Sequence, residues 1–224
     1  MVCFKDALCL MDPTNRAYLH IEEASLLIRR AKISPGILLA HAKALSQGKF
    51  KYPLTRVEAK TLTIHSGVQS ETIDNIILGQ LPKRIIIGFV ENDAFTGHRS
   101  KTPFNFRHFI IFHFSLYVDG IQIPPKTLQP DFSKGKLYID THYTLFSGTG
   151  IHFMNERNNI AFDLTPDLSA NCQSHWNLVK HGSLRIELRV EETLQQTINC
   201  IVYTEYDNVL EIHASRQVIV DYSD

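Results

Sequence analysis

The sequence predicts an all-β protein, an antiparallel β-sandwich with short helices inserted in its loops. Three observations support this fold class. Most apolar residues fall in short segments that alternate with polar residues or run together, as in strands, and few follow helical spacing. Asp119-Gly120, between two such segments, is a strong hairpin signal. The strand segments also lack the regular intervening helices that a parallel βαβ sheet requires.

Composition limits the classes of function. The chain has 224 residues, of which 44% are hydrophobic, so a substantial core can form. Its 23 Lys and Arg balance 23 Asp and Glu, which disfavours a direct nucleic-acid site and does not oppose self-association. No apolar run is long enough to cross a bilayer. No cysteine belongs to a CxxC pair, which predicts small buried residues and an intracellular location, in the cytoplasm or nucleus. The cysteines are Cys3, Cys9, Cys172 and Cys200.

The first quarter of the chain mixes strand-like and helical signals. Met1 to Pro13 has strand-like composition, and Tyr18 to Ile33 predicts a strand, although its centre is also compatible with a helix. A short amphipathic helix follows, because Ser34 can cap it, Pro35 suits its first position and Gly48 follows its end. The predicted apolar face of this helix consists of Ile37, Leu38, Ala42 and Leu45.

The middle of the chain predicts consecutive strands. Tyr52 to His65 alternates with one slip, which indicates a bulged strand. Lys83 to Glu91 is rich in β-branched residues, and its continuous apolar run Ile85 to Ile87 predicts either burial on both faces or a strand in a sandwich core. The turn "NDAFTG" ends it. Phe109 to Val118 forms the next strand, and the strand that returns after the hairpin stops at Pro124-Pro125.

The last third predicts one helix and four strands. Lys136 to Gly150 favours a helix that ends at Gly148 or Gly150. "IAFDLTPDLS" predicts a short strand and a turn, in which Asp163 and Asp167 accept backbone hydrogen bonds and do not form a catalytic pair. "SLRIELRVEE" alternates cleanly, as a half-exposed antiparallel strand does. "TINCIVYTEYDNVLEIH" and "QVIVDY" predict the last two strands.

A search for reactive chemistry finds little. His108 and His113 lie five residues apart on a predicted strand, so they point to opposite faces and cannot share an ion. HExxH, HxH and GxSxG motifs are absent, and "SGTG" lacks the lysine of a phosphate loop. A metal site built from histidines distant in sequence stays open. We predict a protein without enzymatic activity and with no catalytic, cofactor-binding or metal-binding residues.

Aromatic residues are concentrated between positions 95 and 117. Among the aromatic residues from Phe104 to Tyr117 the only lysine or arginine is Arg107, which favours packing in a core or an interface over the stacking of bases. Loops at Phe95 to Phe106 and Leu128 to Phe132 carry aromatic or apolar residues that we expect on the surface. The candidate subunit-interface residues are Phe95, Phe104, Phe106, Leu128 and Phe132.

A collinear series of motifs covers essentially the whole chain. It includes "AKISPGILLAHAKAL", "YPLTRVEAKTLTI", "LGQLP", "NDAFTG", "PFNF", "YVDG", "LQPDF" and "FDLTPD". With this set the chain resembles the major capsid protein of Polinton (Maverick) elements and the related adintoviruses. The resemblance implies a double jelly-roll protein that forms pseudo-hexagonal trimers, contacts neighbouring capsid subunits in a virion and uses no cofactor.

The chain departs from the family pattern in two places. Family proteins are much longer, so the resemblance implies that residues 1–17 are a remnant of a preceding jelly roll and that residues 18–224 form the second one. "NERNNI" also joins the region of Phe153 to "AFDLTPD" directly, where the family has additional residues. The leading hypothesis is a structural protein that self-associates into capsomers. The alternative is a host-retained jelly-roll module that binds capsid subunits or another ligand.

Overall fold

The computed structural model describes residues 22–98, 100–130, 143–146, 159–170, 180–215 and 217–220. Residues 22–34 have no regular structure, and residues 143–146 are helical. In chain order the other elements are α1 (Pro35–Gln47), β1 (Phe50–Ile64), β2 (Ser70–Gln80), β3 (Arg84–Glu91), α2 (Asn92–Thr96), β4 (Ile111–Val118), β5 (Ile121–Leu128), β6 (Ile160–Asp163), β7 (His181–Val190), β8 (Ile198–Ile212) and β9 (Val218–Val220).

The strands form two antiparallel sheets. The five-stranded sheet has the order β1-β8-β3-β6, with β9 also paired to β8, and the four-stranded sheet has the order β2-β7-β4-β5. All pairs of neighbouring strands are antiparallel. Eight strands divided in this way between two sheets form a jelly roll. The predicted all-β, antiparallel sandwich with short inserted helices is therefore confirmed.

The core lies between the two sheets. Phe114 from β4 stacks on Phe162 from β6 with ring centroids 5.9 Å apart, and it meets Phe89 from β3 edge-to-face at 6.3 Å. Cys200 is fully buried in the same core, and this burial raises the pKa of its thiol to about 12. That placement matches the prediction for Cys200, while the other three cysteines lie outside the described residues.

Hydrophobic periodicity correctly predicted several strands. Leu184, Ile186, Leu188 and Val190 of β7 are all buried, whereas the charged residues between them face outward. In the run predicted for β3, Ile85 and Ile87 are buried in the sandwich core and Ile86 on the opposite face is half-buried. The hairpin prediction is also confirmed, because Asp119 and Gly120 have φ values of 49° and 79° and join paired strands. Positive φ at both central residues matches the right-handed twist of the strands.

The beginning of the chain departs from prediction. Residues 22–33 form no strand. Their backbone belongs to neither sheet, and their side chains are exposed. The helix is present at Pro35–Gln47, but the Ser34 side chain makes no capping hydrogen bond, and the predicted apolar face is exposed except at the half-buried Leu45. The bulge predicted in β1 is wrong, because its register with β8 is unbroken from Phe50 to Ile64. Residues Met1 to Pro13 lie outside the described part of the chain.

Two other predictions fail for identifiable physical reasons. The strand predicted to stop at Pro124-Pro125 continues to Leu128, because β5 is an edge strand and its register with β4 is irregular at that point. The turn "NDAFTG" is a short helix, α2, which ends at Gly97 in the left-handed conformation. Of the helix predicted over residues 136–150, only residues 143–146 are described, and they are helical.

Candidate functional site

The segment from residue 92 to residue 110, named here the β3–β4 loop, contains three of the five predicted interface residues. It is attached to the sandwich through Glu91, whose carboxylate lies 2.8 Å from Lys101 Nζ and also pairs with Arg107. The hydrogen bond from Lys101, followed by that from Gln196, lowers the pKa of Glu91 to about 2. Asn92 N donates to Thr197 O at 3.1 Å. These contacts hold the loop in one position against β3 and β8.

Phe106 fixes the middle of the β3–β4 loop on the outer face of β3. A Cβ atom added at Gly88 would lie 2.7 Å from Phe106 Cδ1, so the ring lies directly on the backbone of this glycine. Arg107 N donates to Phe89 O at 2.9 Å immediately afterwards. Phe106 is half-buried in this position, and Phe95 in α2 is half-buried as well. Part of the surface of each side chain is therefore packed against its own chain.

Phe104 is the predicted residue that projects from the loop, with 59% of its surface exposed. Leu128 is only 6% exposed, because its strand pairs it with Phe114 and its side chain joins the core. Phe132 lies outside the described residues. The structure thus separates one outward-facing aromatic side chain from three side chains that are wholly or partly buried within the chain.

Two exposed apolar side chains near the end of this loop were not among the predicted interface residues. Ile110 and Phe112 are exposed beside the start of β4. Phe109 and Ile110 have φ values of 44° and 51°, which is strained backbone for such residues. His108 holds this bend, since its Nδ1 accepts a hydrogen bond from Ile110 N at 3.0 Å. Strand periodicity predicts that Ile110 faces the inside of the sandwich. The positive φ values at Phe109 and Ile110 turn its side chain to the outside.

Among the residues that the structure describes, a polar cluster on the outer face of the four-stranded sheet comes nearest to a catalytic site. His113 Nε2 is 3.3 Å from Ser115 Oγ and 3.9 Å from Glu187 Oε1. A catalytic triad needs the serine and the carboxylate on opposite ring nitrogens, and here both approach the same one. Burial, assisted by Arg189, lowers the pKa of His113, and the hydrogen bond from Arg189 lowers the pKa of Glu187. The cluster is an electrostatic network across β4 and β7.

Metal-binding side chains do not converge within the described ranges, where no three His, Cys, Asp or Glu residues are grouped. The two histidines compared in the sequence lie apart, since His108 precedes β4 and His113 is within it. Among the helices of the described segments, none has the length and apolar character needed to span a membrane.

The turn after β6 confirms the prediction of backbone hydrogen bonds for Asp163, whereas Asp167 accepts one from a side-chain hydroxyl. Asp163 Oδ1 accepts a hydrogen bond from Thr165 N, and Asp163 Oδ2 accepts one from Ala170 N, both at 2.9 Å. Asp167 Oδ1 accepts a hydrogen bond from Ser169 Oγ at 2.5 Å. These carboxylates order the turn formed by residues 163–170, named here the β6 turn.

A cleft of about 120 Å³ opens beside the β6 turn, at one end of the sandwich. Its walls are mostly apolar and consist of Leu81, Pro82, Val118, Ile123, Leu164 and Pro166. Its polar lining consists of Gln80, Lys83, Thr165, Lys180 and Asp207. Lys83 Nζ lies 2.7 Å from Asp207 Oδ1, so these two charges compensate each other. No sequence pattern predicted the cleft, because its walls come from segments that are distant in sequence.

Comparisons with known proteins agree with this architecture. No protein-family model matches the chain. An uncharacterized protein of Caenorhabditis elegans is 23% identical over 217 residues, an alignment that covers 90% of this chain and 51% of that protein. The chain therefore spans about half the length of the curated relative it matches.

Among solved structures, the chain is similar to PBCV-1 VP54, as fitted into a cryo-EM reconstruction of the virophage Sputnik. The TM-score is 0.54 at 10% identity, over 81% of this chain and 54% of that chain. The mavirus major capsid protein gives a TM-score of 0.38 at 10% identity, over 77% of this chain and 41% of that chain. The first likeness establishes the fold, which is the jelly-roll β-sandwich found in viral capsid proteins.

Proposed function

We propose that the chain is a structural, capsid-type protein that acts by self-association into capsomers. The observation that carries this proposal is the complete set of eight jelly-roll strands in the orders 1-8-3-6 and 2-7-4-5. The fold likeness to PBCV-1 VP54 supports it. The geometry around His113, in which serine and carboxylate approach the same nitrogen, also favours a structural role over hydrolytic catalysis.

The finer assignment is to the second jelly roll of a double jelly-roll protein of Polinton type. The chain aligns with about half of its curated relative and about half of PBCV-1 VP54, as one of two barrels would. In this proposal residues 1–17 are the end of a preceding jelly roll and residues 18–224 are the second one. The capsomer is a homotrimer, and neighbouring capsid subunits are the further partners.

The β3–β4 loop is the proposed subunit interface, with Phe104 as its main contact. An exposed aromatic side chain on a loop that is already fixed loses little conformational freedom when it binds. The ion pairs of Glu91 and the packing of Phe106 on Gly88 provide this fixation. Ile110 and Phe112 add exposed apolar surface at the same end of β4. Aromatic anchors of this kind dominate the binding energy of many interfaces.

The first experiment is light scattering coupled to size exclusion over a concentration series of the full chain. A discrete trimer supports the capsomer proposal, and a monomer at all concentrations contradicts it. Phe104→Ala is expected to weaken association without lowering the free energy of unfolding, because the side chain is mostly exposed. Phe106→Ala is expected to weaken association and to lower the free energy of unfolding, because this ring packs on Gly88. Tyr52→Ala, which removes an exposed aromatic side chain from β1, is the matched control and is expected to change neither.

The alternative proposal is a host-retained binding module without catalysis. The cleft beside the β6 turn favours it, because a recess with apolar walls and a few polar groups is typical of ligand sites. This alternative predicts a stable monomer whose Phe104→Ala variant is indistinguishable from the parent in hydrodynamic size. It also predicts that capsid subunits or another ligand protect the cleft from hydrogen exchange.

A further inference from the structure

The β6 turn presents an apolar side chain in an unfavourable backbone conformation. Leu168 has a φ of 55° and 71% of its surface is exposed. Its conformation is fixed by neighbours, since Leu168 N donates to Thr165 O at 3.2 Å and Ser169 N donates to Thr165 Oγ1 at 2.7 Å. The two hydrogen bonds to the Asp163 carboxylate hold the same turn. The leucine is therefore displayed by a rigid support.

A leucine at this position has a cost within the isolated chain. The left-handed region favours glycine, asparagine and aspartate, so leucine strains the backbone there. The exposed side chain recovers little of this cost, because most of it contacts solvent and not the sandwich. Strained residues that are held by their surroundings occur preferentially at functional sites. The conformation of Leu168 thus indicates a contact outside its own chain.

The cleft next to this turn has the size and character to receive such a side chain. Leu164, Thr165 and Pro166 belong to the turn and also line the cleft, so the projection and the recess are adjacent. An apolar cavity of about 150 Å³ in another protein binds benzene, which has six carbons. A cleft of about 120 Å³ with mostly apolar walls can accordingly take the four carbons of a leucine side chain.

The charges around the projection and the recess are complementary. Asp167 precedes Leu168 on the turn, so the projection carries a carboxylate. Lys180 lines the cleft, is exposed, and forms no ion pair with any residue in the described ranges. The second lysine of the cleft, Lys83, is already paired with Asp207. A second copy of this chain supplies an apolar group and an adjacent acid in one segment.

We propose that the β6 turn and the cleft form a self-complementary contact between two copies of this chain. Leu168 of one copy enters the cleft of the other, and Asp167 lies beside the partner's Lys180. Because the projection and the recess are adjacent, a two-fold axis allows both copies to make the contact reciprocally. A two-fold contact cannot lie within a three-fold capsomer, so it joins neighbouring capsomers. This inference rests on the proposed self-association and assigns that contact to a site distinct from the β3–β4 loop.

The decisive variant is Leu168→Asn, compared with Leu39→Asn as a matched control. Asparagine tolerates the left-handed conformation, so Leu168→Asn is expected to keep or raise the melting temperature while it weakens association about tenfold or more. Leu39 is a leucine of similar exposure, 73%, on α1, and its substitution is expected to leave the association constant unchanged. Sedimentation equilibrium of the full chain measures the association constant in each case.

A charge exchange tests the pairing independently. Asp167→Lys and Lys180→Asp are each expected to weaken association by up to about fivefold at low salt, and the double variant is expected to restore it. If Leu168→Asn and Leu39→Asn have the same association constant as the parent chain, the proposed contact is wrong although self-association stands. Weakening by both single exchanges without recovery in the double variant also contradicts the pairing. A parent chain that is monomeric at every concentration overturns the self-association itself.

Discussion

Replacing Gly88 with alanine should destabilise the protein, because Phe106 occupies the space that a Cβ atom needs. The added carbon would lie 2.7 Å from Phe106 Cδ1 and 2.7 Å from Asn159 Oδ1. Carbon atoms in contact prefer about 3.5–4.0 Å, so the ring has to move by close to an ångström. Gly88 has no positive φ, so alanine causes no backbone strain there.

Two opposing effects decide the size of the change. Replacing glycine with alanine at a compatible position stabilises a protein by about 0.4–1 kcal/mol, through the unfolded chain. Overpacking a filled site costs about 1–3 kcal/mol. The clash at Gly88 is with a ring held between β3 and its own loop, so the second effect is larger. We expect a net loss of about 1–2 kcal/mol in the free energy of unfolding.

Urea denaturation at fixed protein concentration measures this loss, since association would otherwise change the apparent stability. Gly36→Ala is the control, because no atom lies within 4 Å of its added Cβ. The double variant Gly88→Ala/Phe106→Ala should recover about 1 kcal/mol relative to additivity, as expected for residues in contact. If Gly88→Ala is as stable as the parent chain, or if the effects of the two substitutions on the free energy of unfolding are simply additive, the described packing of Phe106 on β3 is wrong.

Three further predictions concern the core and the charges that hold the loop. Because the folded pKa of Glu91 is lowered from 4.5 to about 2, its stabilisation is present above pH 4.5 and is lost as the pH falls towards 2. Solvent screening limits this contribution to about 1 kcal/mol, and Glu91→Gln should remove that part of the acid dependence in urea unfolding measured from pH 6 to pH 3. Phe114→Ala should cost about 3–5 kcal/mol, because it deletes the ring between Phe89 and Phe162, and a loss below 1 kcal/mol in the same assay would contradict the core described here. Cys200 should resist alkylation at pH 8 in the native protein and react in urea, because burial raises the pKa of its thiol to about 12. Peptide mass spectrometry measures the labelling, and equal labelling rates in the two states would exclude that burial.

The accuracy of the sequence-based prediction varied with the regularity of each strand. β7 was predicted because apolar and polar residues alternate along it without a break, and β8 because it is rich in β-branched and aromatic residues. β2 was missed because its register shifts between Ile73 and Ile77, where Asn75 has a φ of 51°, and the shift breaks the alternation in the sequence. β5 was cut short because its prolines are tolerated only through its edge position, which the local sequence does not encode.

The candidate interface shows the same limit more strongly. Composition predicted that residues 95–106 carry interface aromatics, but it could not separate Phe104, which is exposed, from Phe106, which lies on Gly88. Leu128 was expected in a surface loop, and it is part of the core because β5 extends through it. Which side of a loop faces solvent depends on how the loop folds back onto the strand beneath it, and the local sequence does not encode that contact.

The sequence by itself determined the properties that depend on neighbouring residues. These are the strand alternation, the Asp119-Gly120 hairpin, the helix at Pro35–Gln47 and the carboxylate caps of the β6 turn, all of which follow from local sterics and short-range hydrogen bonds. The tertiary structure alone decided the pairing of β1 with β8, the exposure of Phe104 and Leu168, and the cleft beside Leu168. The pairing of β1 with β8 and the cleft require residues more than a hundred positions apart to meet. The burial of a shared apolar core, which is non-directional, selects among the many pairings that local preferences permit.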